Sequence, residues 1–177
     1  MHGKREYPGG VAMAATHILL VDDEAEFVEV MAERLAMRGY NITCCSNGRD
    51  ALNLLEQHPD IDVTVLDLKM PGMGGIETLE EIKKRHPFEQ VIMLTGYSTV
   101  NSATEAIKLG AFDYVVKPFD TDRLIALINE AAARKKKFTD QLLEVRQIPY
   151  ISADKRAQLI AEITEAAAKG KTRLPGD

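Results

Sequence analysis

The sequence predicts an α/β protein built on a doubly wound sheet of five parallel strands. Two observations support this prediction: five short runs rich in β-branched residues, and an amphipathic helical stretch after each of them. Strict alternation of strand and helix is typical of a parallel sheet with helices on both faces. Three runs are almost continuously apolar, as expected for strands covered on both sides. The predicted strands are His17–Val21, Asn41–Cys45, Asp62–Leu66, Val91–Leu94 and Asp113–Val116.

Helical spacing of apolar residues predicts a helix after each strand. Gly39, Pro59 and Pro87 are expected to end the first three helices, and Asp120 is expected to cap the fifth. The apolar positions are Phe27, Val30, Met31 and Leu35 in the first helix, Ala51, Leu54 and Leu55 in the second, Leu79 and Ile82 in the third, Ala103, Ala106 and Ile107 in the fourth, and Leu124, Leu127, Ile128 and Ala131 in the fifth.

Composition and charge exclude several classes of protein. The chain has 177 residues, 45% of them hydrophobic, which is enough to bury a core without staples. Its two cysteines, Cys44 and Cys45, are adjacent, which rules out a disulfide-rich scaffold. The sequence shows neither a membrane-length apolar run nor a signal peptide, so we expect a cytoplasmic protein without membrane attachment. The formal net charge of −5 argues against a nucleic-acid partner.

Charge is distributed unevenly along the chain. Residues 1–133 carry a net charge of −9, and residues 134–177 carry a net charge of +4. We therefore predict a flexible N-terminal leader over residues 1–15, a core domain over 16–133, and a helical C-terminal extension over 134–177. The extension holds no recognisable output domain, because a helix-turn-helix needs two suitably spaced helices and only one is predicted after Pro149.

An apolar stripe runs from the fifth helix into this extension. Its members recur at a period of 3.5 residues over about three heptads, with Lys135 as the one polar member. Pro149 is expected to end the helix, and Ser152 is expected to cap a second one over Ala153–Ala168. The stripe suits a dimer seam, an intramolecular packing face or a single surface helix. Its members are Leu124, Ile128, Ala131, Lys135, Phe138, Leu142 and Val145.

Polar side chains follow four of the five predicted strands. In open parallel sheets, ligands bind beyond the carboxyl ends of the strands, where the strand order reverses. Carboxylates gathered there would suit Mg²⁺, which prefers oxygen ligands. One carboxylate beside the cation could attack a phosphoryl group, contacted by a lysine and a hydroxyl. The residues concerned are Asp22, Asp23 and Glu24 after the first strand, Asp67 after the third, Thr95 after the fourth and Lys117 after the fifth.

Four segments together resemble the receiver domain of two-component response regulators: Val21–Glu24, Leu66–Gly75, Thr95-Gly96 and Val116–Phe119. They occur in the right order, each at the end of a predicted strand, and the likeness covers about residues 16–133. The resemblance implies a flavodoxin-like strand order of 2-1-3-4-5. It also implies a stand-alone regulator that accepts a phosphoryl group from a sensor histidine kinase, signals by protein–protein interaction, and is otherwise not an enzyme.

The resemblance implies a role for each residue of the acidic site. Asp67 would be the phosphoacceptor. At the metal site formed with Asp67, Asp23 would bind Mg²⁺ directly, Asp22 would be its outer-shell partner, and the backbone carbonyl of Lys69 would be a further ligand. Lys117 would bind the phosphoryl group, and the Lys117–Pro118 peptide bond is expected to be cis.

Two further pairs of residues are implied by the same resemblance. Thr95 would donate a hydrogen bond to the phosphoryl group and act as a switch together with Tyr114. Lys69 and Tyr97 occupy the positions two residues after the phosphoacceptor and two after the threonine. Both side chains are large, so we expect them to slow the attack of water and to tune the lifetime of the phosphoryl group.

Other functions remain open from the sequence. The protein could be a phosphorelay intermediate that passes its phosphoryl group to a downstream histidine, or a fragment of a larger regulator. An aspartate-nucleophile phosphatase is less favoured, because such enzymes usually place a second aspartate where this chain has Lys69. The downstream target is unidentified, and a phosphorylation-dependent homodimer is a further possibility.

The motifs also have purely structural interpretations. Asp22–Glu24 could be only the acidic first turn of a helix, and Asp67 could be a turn residue. Tyr114 could be simply packed, Lys69 and Tyr97 could be ordinary surface residues, and Arg134–Lys137 could be a solvated run of charge. The joint occurrence of the aspartates, the threonine and the lysine, each after its strand, favours the functional interpretation.

Overall fold

The computed structural model of the protein describes residues 5–7, 15–96 and 100–170. In this part of the chain, six strands form one sheet, accompanied by six helices. The strands are β1 (Arg5–Tyr7), β2 (His17–Val21), β3 (Asn41–Cys45), β4 (Val63–Asp67), β5 (Gln90–Thr95) and β6 (Asp113–Val116). The helices are α1 (Ala25–Ala36), α2 (Gly48–Gln57), α3 (Gly75–Arg85), α4 (Val100–Lys108), α5 (Thr121–Gln147) and α6 (Ala153–Ala168).

The sheet confirms the predicted architecture. Its strand order is β1-β3-β2-β4-β5-β6, and β2 to β6 are all parallel. These five strands reproduce the order 2-1-3-4-5 expected from the resemblance. β2 lies between β3 and β4, so the strand order reverses there and the crevice for a ligand opens at the carboxyl ends of β2 and β4.

Three residues of the segment predicted to be a flexible leader pair with the sheet. Arg5–Tyr7 forms β1, which pairs antiparallel with β3 and places Glu6 opposite Thr43. Backbone pairing with the open edge of a sheet depends on no local sequence signal, which is why composition did not reveal it. Residues 1–4 and 8–14 lie outside the described part of the chain.

Alternating side chains of the central strand divide the core into two layers. Ile18 and Leu20 of β2 pack on one face of the sheet, against residues of α1 and α5. Leu19 and Val21 pack on the other face, against residues of α2, α3 and α4. All four side chains are fully buried. The sheet is therefore covered on both faces, which explains why the strands read as continuous apolar runs.

The extension folds back as a helical hairpin, a name we use for residues 134–170. α5 has 27 residues, or about 40 Å at 1.5 Å per residue, and α6 packs against it with Val145 and Ala167 buried. Of the three interpretations of the apolar stripe, the structure shows the intramolecular packing face. Both expected caps are confirmed: Asp120 accepts from the Asp122 amide, and Ser152 accepts from the Lys155 amide.

The end of α6 returns to the amino-terminal edge of the sheet. A Cβ at Gly110 would collide with the backbone carbonyl of Ala168, and one at Gly170 would collide with that of Ala111. Two backbones therefore approach closely only because both positions are glycine. Arg134 donates from Nη2 to the carbonyl of Lys169 at 2.7 Å, which ties α5 to the end of α6.

Candidate functional site

Three carboxylates meet at the carboxyl edge of the sheet. Asp22 directly follows β2, Asp67 is the last residue of β4, and Asp23 stands beside Asp22. Carboxylate oxygens of all three lie within 4.8 Å of one another. Asp22 and Asp67 are buried, with exposed fractions of 2% and 5%, whereas Asp23 is exposed. The structure thus brings together residues that the sequence separates by 45 positions.

Lys117 reaches the same cluster from the end of β6. Its Nζ lies 2.6 Å from Oδ2 of Asp22, 3.1 Å from Oε1 of Glu24 and 3.9 Å from Oδ1 of Asp67. The Lys117–Pro118 peptide bond is cis, as predicted. The Lys117 amide also donates to the carbonyl of Thr95 at 2.7 Å, which joins the carboxyl ends of β5 and β6.

Backbone amides orient the two buried carboxylates. The Lys69 amide donates to Oδ2 of Asp67 at 2.8 Å, and the Glu24 amide donates to Oδ1 of Asp22 at 2.9 Å. Gly75 is the last residue of the motif Leu66–Gly75 and the first residue of α3. A Cβ there would collide with the Asp67 carbonyl, so this glycine lets α3 pack directly against the backbone that carries Asp67.

Burial raises the pKa of the two acidic groups at the ends of β2 and β4. Burial, together with the charge of Asp22, raises the pKa of Asp67 to about 6, although Lys117 and the Lys69 amide oppose the shift. Burial also raises the pKa of Asp22, against the hydrogen bond from Lys117. Burial alone would lower the pKa of Lys117, but the hydrogen bond and charge of Asp22 outweigh it and raise that pKa.

The donor set fits a divalent cation. Three carboxylates face a single ammonium group in this cluster, so negative charge is in excess. Hard oxygen donors from buried and exposed carboxylates, with solvent beside Asp23, are the environment that Mg²⁺ takes in proteins. The residues that would hold the ion are Asp22, Asp23 and Asp67. A bound cation would favour the ionised form of Asp67, whose pKa burial and the charge of Asp22 raise.

The residues implied as a switch lie on two neighbouring strands. Thr95 ends β5 with 1% of its surface exposed. The hydroxyl of Tyr114, on β6, lies 3.1 Å from Oγ of Ser102 on α4, so this tyrosine connects the sheet to that helix. Lys69 is exposed beside Asp67. Tyr97, the other lifetime-tuning prediction, lies outside the described residues.

Two residues at the start of α1 contact Lys117, and the sequence predicts neither contact. Glu24 forms an ion pair with its ammonium group, and the ring centroid of Phe27 lies 3.9 Å from Nζ. Phe27 was predicted only as an apolar residue of the first helix. The signal that could have found them is their place directly after the paired aspartates, on the first turn of a helix whose start faces the site.

The fold and this acidic, lysine-containing edge define an open doubly wound α/β protein with a ligand site at its switch point. The sequence profile of the response regulator receiver domain matches residues 18–129, and the chain belongs to that family. The recognition made from the motifs is therefore confirmed.

The chain is similar to curated regulators and to solved receiver domains. It is 41% identical over 119 residues to the regulatory protein AtoC of Escherichia coli, covering 67% of this chain and 25% of that protein. A receiver domain protein from Clostridium thermocellum superposes with a TM-score of 0.66 at 36% identity, covering 68% of this chain and 97% of that one. A CheX–CheY–BeF₃–Mg²⁺ complex from Borrelia burgdorferi matches with a TM-score of 0.62 at 27% identity, covering 65% and 87%.

The coverage figures describe two different kinds of match. The chain spans about a quarter of the length of AtoC, whereas it contains nearly the whole of the solved receiver domain. The shared part is thus the receiver. Among the described residues, no helix is both long and apolar enough to cross a membrane.

Proposed function

We propose that the protein is a signalling regulator that accepts a phosphoryl group from a histidine kinase onto Asp67. The observation that supports this proposal most directly is the local environment of the Asp67 carboxylate. It is buried at the end of β4, held by the Lys69 amide, and flanked by Asp22, Asp23 and Lys117. No other cluster of three metal-ligating side chains occurs among the described residues.

The transfer follows from the positions of these groups. A carboxylate oxygen of Asp67 attacks the phosphorus of a phosphohistidine, and the nitrogen–phosphorus bond breaks with its electron pair left on the imidazole. The Lys69 amide holds Oδ2 of Asp67 in place during the attack. Lys117, 3.9 Å from Oδ1, is within a small side-chain movement of the transferred oxygens and would neutralise part of their charge.

Mg²⁺ bound by Asp22, Asp23 and Asp67, with the Lys69 carbonyl as a further ligand, would offset the charge of the incoming phosphoryl group. The structure of the Borrelia complex, whose name includes BeF₃ and Mg²⁺, supports this proposal by similarity. The burial of Asp22 and Asp67 limits the access of water to their carboxylates.

The signal would leave the site through α4. Thr95 would turn toward the phosphoryl group, and Tyr114 would move with it, changing its contact with Ser102 on α4. A local change of charge is then expressed as a change of surface that a partner protein recognises. The stand-alone character, the cytoplasmic location, the identity of the kinase and target, and the effect of Lys69 and Tyr97 on lifetime stay predictions.

The decisive experiment is phosphorylation by phosphoramidate in the presence of Mg²⁺, followed by intact mass spectrometry. We expect the wild type to gain one phosphoryl group, and Asp67→Asn to gain none. Asp60→Asn is the matched control, because Asp60 is an exposed aspartate outside the acidic cluster. Equal labelling of wild type and Asp67→Asn would contradict the proposal.

Adding a second protein or a substrate to this assay distinguishes the alternative functions. A phosphorelay intermediate would pass the label from Asp67 to a histidine-containing protein, so the label would appear on that partner. A phosphatase would release many phosphate groups per molecule from an added phosphomonoester, whereas a regulator labels itself once.

A further inference from the structure

We propose that Glu24 and Phe27 are positioning residues that hold Lys117 away from Asp67 in the unphosphorylated protein. Release of Lys117 from them would then set the ease with which the phosphoryl group is accepted and retained. The inference rests on the proposed function, because it concerns the lysine of that same site.

The contacts of the Lys117 ammonium group show where it is held. It lies 2.6 Å from Asp22 and 3.1 Å from Glu24, but 3.9 Å from the acceptor Asp67. The face of the Phe27 ring covers it, with the centroid 3.9 Å away. A primary ammonium group has three donors, and here two of them are engaged by carboxylates other than the acceptor. Contact with a phosphoryl group on Asp67 therefore requires Lys117 to give up existing partners.

Glu24 is the partner that the metal site does not need. It is outside the set of carboxylates that lie within 4.8 Å of one another, and its side chain is 67% exposed, against 1% for Asp22. Glu24 also occupies the N-cap position of α1, yet its side chain makes no capping hydrogen bond. The carboxylate is directed to Lys117 instead, at a helix position where a capping bond would ordinarily stabilise the fold.

Phe27 supplies the second restraint. It lies on the first turn of α1, and the ring of Phe119 meets it edge-on, with centroids 6.3 Å apart and planes at 76°. An aromatic ring fixed in this way presents a constant negative face to an ammonium group. Phe27 lies shortly after the aspartate pair, and Phe119 lies two residues after Lys117. The segments that carry the aspartates and the lysine therefore each contribute one ring to this aromatic contact.

Removing either restraint has a defined consequence. Phosphoryl oxygens, or the fluorides of beryllofluoride bound to Asp67, compete with Glu24 and the ring for the same ammonium group. Glu24→Gln should therefore bind beryllofluoride with Mg²⁺ roughly threefold more tightly, the scale of one exposed ion pair. It should also be phosphorylated by phosphoramidate faster by a similar factor. Phe27→Leu should shift both quantities in the same direction by roughly twofold.

The matched control is Glu26→Gln. Glu26 is an exposed acidic residue on the same first turn of α1, whereas the ion pairs of Lys117 are with Asp22, Glu24 and Asp67. Both substitutions remove one negative charge near the site. An equal gain in Glu24→Gln and Glu26→Gln would show a general effect of charge and would overturn the inference, as would a loss of affinity in Glu24→Gln.

Nuclear magnetic resonance of the resting protein tests the geometry without phosphorylation. The ring of Phe27 should shift the ε-methylene protons of Lys117 upfield. Phe27→Leu should abolish that shift, and Phe27→Tyr should restore both the shift and wild-type beryllofluoride affinity. An unshifted Lys117 in the wild type would overturn the inference. Failure of the wild type itself to bind beryllofluoride with Mg²⁺ would instead contradict the proposed function.

Discussion

In the part of the chain that the structure describes, two lysine–carboxylate pairs of the same length, each with a buried carboxylate, lie at opposite edges of the sheet. At the carboxyl edge, Nζ of Lys117 lies 2.6 Å from Asp22. At the amino edge, Nζ of Lys135 lies 2.6 Å from Glu89. Asp22 and Glu89 each have an exposed fraction of 2%. The two pairs differ in what surrounds them, and that difference separates a reactive site from a structural one.

At the amino edge, every oxygen of Glu89 is satisfied. Its carboxylate accepts from Thr64 at 2.7 Å and from Lys135 at 2.6 Å, and its backbone carbonyl accepts from Lys83 at 2.5 Å. Lys135 also donates to the carbonyl of Ile61. Burial lowers the pKa of Lys83 to about 8. One buried carboxylate is thus paired with one ammonium group, that of Lys135, and Lys83 binds the backbone of the same residue.

At the carboxyl edge, the balance of charge is reversed. Asp22, Asp23 and Asp67 face the single ammonium group of Lys117, and burial with mutual repulsion raises the pKa of Asp67 to about 6. A surplus of buried like charge destabilises the fold but attracts a cation and a reactive group. Both edges contain a salt bridge. The excess of negative charge at the carboxyl edge is what distinguishes the candidate reactive site from the structural pair at the amino edge.

The largest effect on stability is expected at the amino edge. Lys135→Ala should lower the free energy of unfolding by about 3 kcal/mol, because it leaves the buried carboxylate of Glu89 without its ionic partner. Urea unfolding followed by circular dichroism measures this. Lys136→Ala is the control: Lys136 is 75% exposed and pairs only with Asp140 on its own helix, so its loss should change stability by less than about 0.5 kcal/mol. Equal effects would contradict a structural role for Lys135.

At the carboxyl edge, a substitution is expected to stabilise the fold instead of destabilising it. With Mg²⁺ removed, Asp67→Asn should raise the free energy of unfolding by about 2 kcal/mol at pH 7. The pKa of Asp67 is raised from 3.8 to about 6 on folding, so its ionised form destabilises the folded state above pH 6. That penalty disappears as the pH falls from about 6 to about 4, where the carboxyl is protonated in both states. The difference in free energy of unfolding between Asp67→Asn and the wild type should therefore decrease as the pH falls from about 6 to about 4. An Asp67→Asn variant less stable than the wild type at pH 7 would contradict the comparison.

A smaller effect is expected where the helical hairpin joins the domain. Arg134→Ala should lower the free energy of unfolding by about 1.5 kcal/mol. The substitution removes the hydrogen bonds from Nη2 to the carbonyls of Lys169 and Gly170. It also removes the contact of the guanidinium with the rings of Phe112 and Phe138. Hydrogen exchange should quicken in α6 and remain unchanged in β4 and β5. Arg134→Lys should recover only part of the loss, since lysine lacks the planar fork. Unchanged exchange in α6 would show that Arg134 does not hold the hairpin.

The strands, the helix caps and most of the acidic site could be predicted because their signals are local. β-branched runs mark the strands, Asp120 and Ser152 cap the helix that each precedes, and Asp22, Asp67 and Lys117 each lie at the end of a strand. In a parallel sheet all carboxyl ends meet at one edge, so position along the chain was enough to bring the cluster together. The family recognition rests on the same motifs.

Other features depended on pairings that no local pattern encodes. Arg5–Tyr7 became a strand because β3 has an open edge, and Lys135, the odd member of an apolar stripe, is explained only by Glu89, 46 residues earlier. Arg134, read from sequence as part of a solvated basic run, closes the end of α6.

The sequence by itself determined the fold class and the residues of the acidic site, because strand periodicity and the chemistry after each strand are written within a few neighbouring residues. The tertiary structure alone decided that the extension folds back as a hairpin. It alone also decided that Glu24 and Phe27 contact Lys117, which follows Glu24 by 93 residues in the sequence. Burial and charge pairing at such separations arise only when the packed core brings distant elements together.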